Sequence, residues 1–298
     1  MADHTPASFC KIGVDGGGTK TELILVDARG EILARHLAPG CNPNIVGPAP
    51  ARALLVDALA QIHRPEVTEI HLYMSGSPEV WSEIAASLVE FGRVTSHDDS
   101  LPVLELATHG QPGLVLHGGT GSFVAARAPD NSLHYAGGLG WRFGDAGSGY
   151  DLGQRAIARA LLELQGWAPV TRISPIVRSH AELPTADAKA ITRFYYQTEH
   201  PNRVIAALAP AILHLASEGD DTARKLVQTS AKPLLDLAVQ VATKLFPATP
   251  LDSLSAGLSG PILTHPEVFN ALAPRSPLPL VPITTAPIHG VHQLLTRA

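Results

Sequence analysis

Only two of the 298 residues are cysteine, Cys10 and Cys41, so the chain can build no disulfide framework and offers no paired-thiol metal spacing. Charged residues are also scarce, at 16% against the usual ~25%. The net charge is −5, and six lysines accompany sixteen arginines with no basic run or tail. Nucleic-acid binding by phosphate neutralisation is therefore not expected. No uninterrupted apolar stretch reaches the roughly 18 residues of a membrane span. The opening Met1-Ala2-Asp3-His4-Thr5-Pro6 has neither the charged nor the apolar region of a signal peptide. A soluble, cytoplasmic protein is the expectation. Fourteen histidines are scattered, and His289-x-x-His292 has no acid or thiol nearby, so it reads as a helix-surface pair.

What is present is an ordinary globular composition, 45% hydrophobic, which excludes general disorder. The length suffices for two units of about 150 residues. Residues 9–15, 21–26 and 31–37 read as strands joined by tight turns. Helix periodicity follows over 50–62, a strand over 67–74, a helix over 79–91, a strand over 93–96 and a helix over 101–107. This βββ-αβ-αβ order belongs to the α/β class. The pattern then restarts with strands at 113–117, 122–127 and 133–136. Thr19 and Thr120 stand 101 residues apart, and the second turns, near 29 and 130, share that offset, which favours an internal duplication. Helices are expected over 151–165, 186–196, 202–217 and 221–246, strands over 254–256 and 278–283, and a closing helix over 288–297. Gly110-Gln111-Pro112-Gly113 marks the boundary, giving domains 1–112 and 113–298.

Asp15-Gly16-Gly17-Gly18-Thr19-Lys20-Thr21 is the densest chemical signal. Glycines let consecutive N–H groups approach an anion and form a phosphate-sized nest. A Walker A loop is rejected because Thr19 stands between Gly18 and Lys20. A dinucleotide fingerprint is rejected because a strand, not a helix, follows. What remains is a hairpin with amides and hydroxyls at its tip. Asp15, ending an apolar strand, is placed to hold hydrated Mg²⁺. Gly118-Gly119-Thr120-Gly121-Ser122 repeats the chemistry, and two such loops facing across a cleft imply a bound nucleoside triphosphate.

These residues resemble the actin/hexokinase/heat-shock chaperone ATPase superfamily, and within it the N-acetylglucosamine kinases grouped with BadF/BadG-type ATPases. Asp15 to Thr21 is similar to the first phosphate motif and Gly119 to Ser122 to the second. Gly138 to Tyr150 resembles the long glycine-rich block, and Ala256 to Gly260 the adenosine-side motif. The resemblance implies two ribonuclease H-like (actin-like ATPase) domains with a cleft between them, using ATP and Mg²⁺ on an aminosugar. It assigns Asp15, Gly17, Gly18, Thr19, Lys20, Gly119, Thr120, Gly121, Gly257 and Ser259 to the nucleotide and its metal. Asn42, Gly138 and Asp145 fall to the sugar, and Asp99 to the sugar and to catalysis as the base. Asp98 leaves a one-residue ambiguity, and capping of the 101–107 helix is a competing role for Asp99. Ala146 stands where the block carries glutamate, and Asp151 where tryptophan is frequent.

The resemblance implies transfer to the 6-hydroxyl of N-acetyl-D-glucosamine, with free glucosamine as the alternative. A partner-coupled ATPase is the reading from another class, although its iron–sulfur version lacks cysteines. A transcriptional regulator is disfavoured, since only eight residues precede the first strand. The resemblance allows a homodimer, though no sequence feature marks an interface. Of the 26 glycines, 14 fall within residues 16–18, 118–121, 137–149 and 257–260, where no proline lies. Proline would remove the amide donors that such loops supply.

Overall fold

Short runs of buried apolar residues end on glycine turns in both halves of the chain, and a computed structural model, describing residues 9–297, shows what those turns join. In the first unit β1 (Cys10–Gly16) and β2 (Lys20–Val26) form an antiparallel hairpin, with β3 (Ile32–Pro39) antiparallel to β2. The chain continues through α1 (Pro43–Val46) and α2 (Pro48–Ile62) into β4 (Val67–Met74), parallel to β1. Next, α3 (Pro78–Ser87) leads to β5 (Arg93–Asp98), parallel to β4, and α4 (Ser100–Thr108) follows at once. The sheet order is β3-β2-β1-β4-β5. Strand alternation turns Ile12, Val14, Leu23, Leu25, Ile70 and Leu72 to one face, where they pack with Leu55, Leu59 and Trp81. Each such side chain contributes roughly 1.5–3 kcal/mol on full burial.

The second unit repeats the plan. Strands β6 (Gly113–Gly118), β7 (Ser122–Arg127) and β8 (Leu133–Gly137) form the meander. Helices α5 (Gly149–Leu164), α6 (Ile173–His180), α7 (Ala188–Gln197), α8 (Pro201–Ala206), α9 (Ala209–Ser217) and α10 (Asp221–Leu245) follow. Then come β9 (Ser255–Ser259), parallel to β6, α11 (Gly260–Leu263), α12 (Pro266–Leu272) and β10 (Leu280–Pro282), parallel to β9. The order β10-β9-β6-β7-β8 is that of the first sheet, strand for strand. Leu114, Leu116, Val124 and Ala126 pack with Ile157, Leu213 and Leu234 of the helices in one core.

The last helix, α13 (Pro287–Arg297), belongs to the first unit, which comprises residues 9–109 and 285–297; residues 110–284 form the second. This departs from a simple boundary at residue 112. The reason is packing: Ile288, Val291 and Leu295 cover Ile24, Val26 and Tyr73 on the second face of the first sheet. Two glycines allow the approach. A Cβ on Gly290 would lie 2.0 Å from the Pro102 carbonyl oxygen of α4, and one on Gly13 would lie 2.3 Å from Val291 Cγ1. His292, expected as a surface residue, is part-buried with Nε2 2.7 Å from the Gly30 carbonyl oxygen. Arg297 pairs with the buried Glu105 of α4.

Three further differences concern helices. The expected single helix over 202–217 is two, because the backbone closes a turn at Ala207 and Pro210 begins a new one. The helix expected over 79–91 ends at Ser87 and gives way to a 3₁₀ turn, Val89–Phe91. The short α1, α6, α11 and α12 are not among the expected helices, each being eight residues or fewer. Among the described residues no helix is long and apolar enough to cross a membrane.

Candidate active site

The first glycine turn hangs between two strands that the sheet holds rigidly, with Asp15 opposite Glu22 and Gly16 opposite Thr21. Gly17 N–H donates to the Lys20 carbonyl oxygen at 2.9 Å, and Gly40 N–H donates to that of Thr19 at 3.2 Å, so the loop is closed from both sides. Thr19 is exposed at its tip. Lys20, expected beside the phosphates, places Nζ 3.2 Å from Glu22 Oε2. Asp15 sits at the same register position as Tyr73 of β4. Burial pushes its carboxyl up to about 6, with Lys20 opposing the rise and Glu22 adding to it. A desolvated carboxylate next to exposed hydroxyl and amide groups is a hard oxygen donor suited to a hydrated Mg²⁺, so these residues fit that ion.

Asn42 ends the segment after β3 and caps α1, its Oδ1 accepting from Asn44 N–H at 2.9 Å. Its Nδ2 donates to Ser75 Oγ at 3.1 Å. Ser75 N–H in turn donates to the Gly16 carbonyl oxygen at 2.8 Å, which ties Asn42 to the end of β1. Asp98 ends β5 and Asp99 follows it. Asp98 is exposed and its Oδ1 accepts from Ser100 N–H at 2.8 Å, so the capping role expected of Asp99 falls to Asp98. Asp99 makes no side-chain cap bond. Burial, then Asp98, then Asp15 push its carboxyl up to about 7. The first unit thus brings Asp15, the glycine loop, Asn42 and Asp99 to the ends of β1, β4 and β5.

In the second unit the loop after β6 is bound to the glycine-rich block. Gly149 N–H donates to the Gly119 carbonyl oxygen at 2.8 Å, Tyr150 N–H to that of Thr120 at 3.2 Å, and Gly138 N–H to that of Ser122 at 3.0 Å. Ser122 Oγ donates to the Ala146 carbonyl oxygen at 2.7 Å. Asp145 adopts the left-handed backbone, φ 67°, which aspartate tolerates better than most residues. Its Oδ1 accepts from Ser122 N–H at 3.4 Å, and burial pushes its carboxyl up. Asp151 has a local purpose. Its N–H donates to the N-cap Ser148 at 3.1 Å, and its carboxylate holds Arg155 Nε at 3.0 and 2.9 Å, which anchors α5 beneath the block. Gly257 lies in β9 opposite Val115, and Ser259 ends that strand opposite His117. The second unit therefore gathers Gly119, Thr120, Gly121, Gly138, Asp145 and Ser259 around one loop.

Sequence reasoning missed His117, whose side chain meets Ser259; its only signal was its place immediately before the second glycine run.

The pattern of the BadF/BadG/BcrA/BcrD ATPase family matches residues 12–263. An N-acetyl-D-glucosamine kinase of Dictyostelium discoideum is 30% identical over 254 residues, 78% of this chain and 79% of that one. Among solved structures, a Chromobacterium violaceum protein to which N-acetylglucosamine kinase activity is ascribed is 28% identical, with a TM-score of 0.79 over 97% of this chain and 100% of that one. A ROK family glucokinase from Streptomyces griseus, solved with glucose and AMPPNP, shares the two-domain fold at 14% identity and a TM-score of 0.59, covering 97% of this chain and 99% of that one.

Proposed function

The chain belongs to the BadF/BadG/BcrA/BcrD ATPase family, and we propose that it transfers the γ-phosphoryl group of ATP to an aminosugar, converting N-acetyl-D-glucosamine to its 6-phosphate. The observation that carries this reading is the state of Asp99, a half-buried carboxylate just past the end of β5 that is freed from capping by Asp98 and raised to about 7. A general base works best with a pKa near the operating pH.

Asp99 accepts the proton of the sugar hydroxyl as its oxygen attacks the γ-phosphorus. The bond from that phosphorus to the β,γ-bridging oxygen breaks, and ADP leaves. Asn42 and Asp145 hold sugar hydroxyls, and Asn42 is kept in place by Ser75. The backbones of Gly18 and Gly121, with the hydroxyls of Thr19 and Thr120, receive the phosphates, whereas the Gly17 and Gly119 amides are spent within their own loops, on the Lys20 and Gly121 carbonyl oxygens. When bound, Mg²⁺ at Asp15 supplies neutralisation of phosphate charge. Positioning and charge stabilisation then account for most of the rate.

A coupled ADP-release assay over a panel of hexoses, with and without N-acetyl groups, tests this. Saturable turnover with N-acetyl-D-glucosamine is the expected result. Turnover with free glucosamine alone would move the substrate, and sugar-independent hydrolysis would replace the kinase with a partner-coupled ATPase.

A further inference from the structure

His117 is the next-to-last residue of β6, just before the second glycine loop, and has no part in the mechanism above. Its Nδ1 lies 2.8 Å from Ser259 Oγ at the end of β9. Its ring stacks on Phe123, with centroids 4.8 Å apart and planes 15° from parallel. The opposite edge of the ring meets two glycines. A Cβ at Gly119 would lie 3.2 Å from Nε2, and a Cβ at Gly260 would lie 3.0 Å from Cε1. One imidazole thus lies against both the second phosphate loop and the adenosine-side motif, at positions where a side chain would crowd it. Nε2 makes no hydrogen bond among the described residues, and it is not among the sealed, unsatisfied atoms.

The roles within the pair follow from satisfaction. Ser259 is buried and its hydroxyl has Nδ1 as its partner. If Nδ1 carried the proton, the serine O–H would have no acceptor and Nε2 would turn a lone pair toward a site built for anions. If Ser259 donates to Nδ1, the hydroxyl is satisfied and Nε2 carries a proton that it can give. Burial lowers the imidazole to about 4, so near neutral pH it is an uncharged donor.

We propose that His117 is a nucleotide-binding residue whose Nε2–H donates to a phosphate oxygen of ATP beside Gly119, with Ser259 as the positioning residue that fixes the tautomer. The assignment rests on the nucleotide half of the function proposed above and is independent of the sugar.

The test is calorimetric titration of the full-length protein with adenosine and with ADP, without sugar. His117→Phe keeps an aromatic ring beside Phe123 and removes the donor. Loss of a hydrogen bond to a charged acceptor predicts about tenfold or more weaker ADP binding, with adenosine affinity unchanged. His117→Gln, which retains an amide donor, recovers part of that loss. Unchanged ADP affinity, or equal weakening of adenosine and ADP, would overturn the assignment, the latter by reducing His117 to packing. A second measurement needs no variant. Nitrogen-15 spectra of histidine-labelled wild-type protein are expected to show the Nε2–H tautomer near neutral pH, and an Nδ1–H signal for His117 would also overturn it. A protein that phosphorylates no sugar yet shows the ADP-specific loss keeps this assignment while the kinase reading falls.

Discussion

Asp98 and Asp99 are adjacent in the chain and do opposite work: Asp98 accepts the Ser100 N–H at 2.8 Å and starts α4, while Asp99 is left half-buried with its carboxyl raised to about 7. Replacing each in turn separates the two roles. Asp99→Asn is expected to lower kcat by about 10²–10⁴-fold, the usual contribution of a positioned base, with the affinity for a nonhydrolysable ATP analogue retained. Asp98→Ala is expected to lower stability by about 1 kcal/mol through loss of the cap, with much smaller effect on kcat. Near-normal turnover of Asp99→Asn in the ADP-release assay would remove it as the base.

The same raised value predicts a pH profile. A base must be unprotonated in the free enzyme, so kcat/KM is expected to fall as pH drops through about 7. Stability moves the other way. The native state holds this proton more tightly than the unfolded chain does, so the cost of burying the charge is absent below about pH 4, grows toward pH 7 and is complete above it. Asp99→Asn should therefore raise Tm most at pH 8 and progressively less toward pH 4. A Tm gain independent of pH would contradict the buried charge as its source.

Gly290→Ala tests the seat of α13. The added methyl would stand 2.0 Å from the Pro102 carbonyl oxygen, within the first turn of the helix that follows Asp99. Overpacking of this kind costs typically about 1–3 kcal/mol. A lower Tm together with a reduced kcat is expected, the latter because α4 must shift. Unchanged stability by denaturant titration would show that the contact is loose.

Asp145 can be read through its backbone. Asn tolerates the left-handed conformation, so Asp145→Asn is expected to keep the fold while weakening sugar binding about tenfold or more, through loss of a charged acceptor. Nucleotide affinity measured on the same variant should stay within about threefold. Equal loss of both ligands would place Asp145 in the support of the Ser122 loop alone.

The succession of strands and helices in the first half, and the strand meander that opens the second, were legible because each glycine turn sits between apolar runs of strand length, and the offset between Thr19 and Thr120 announced the repeat; the order of strands within each sheet came from the structure. The loops and Asp15 could likewise be named from local pattern, whereas Asn42 came only from the family resemblance. The destination of α13 could not, because its apolar positions show that it packs without showing against what; Gly13 and Gly290, which select the partner, look like any other glycines in the sequence. The split of roles between Asp98 and Asp99 was hidden for a related reason. Both residues precede the same helix, and only the direction of each side chain decides which one caps. His117 was invisible because its partner Ser259 lies far along the chain and meets it only through the pairing of β6 with β9.

The return of α13 to the first unit also governs how the protein is made. Residues 9–109 leave the ribosome long before residues 285–297 exist, so Ile24, Val26 and Tyr73 are synthesised without the helix that covers them. The first unit cannot close its second face during translation, whereas the second has its whole sequence in one stretch and can fold as it emerges. The order of assembly is thus the reverse of the order of synthesis. The newborn N-terminal sheet must keep an apolar face open until α13 arrives.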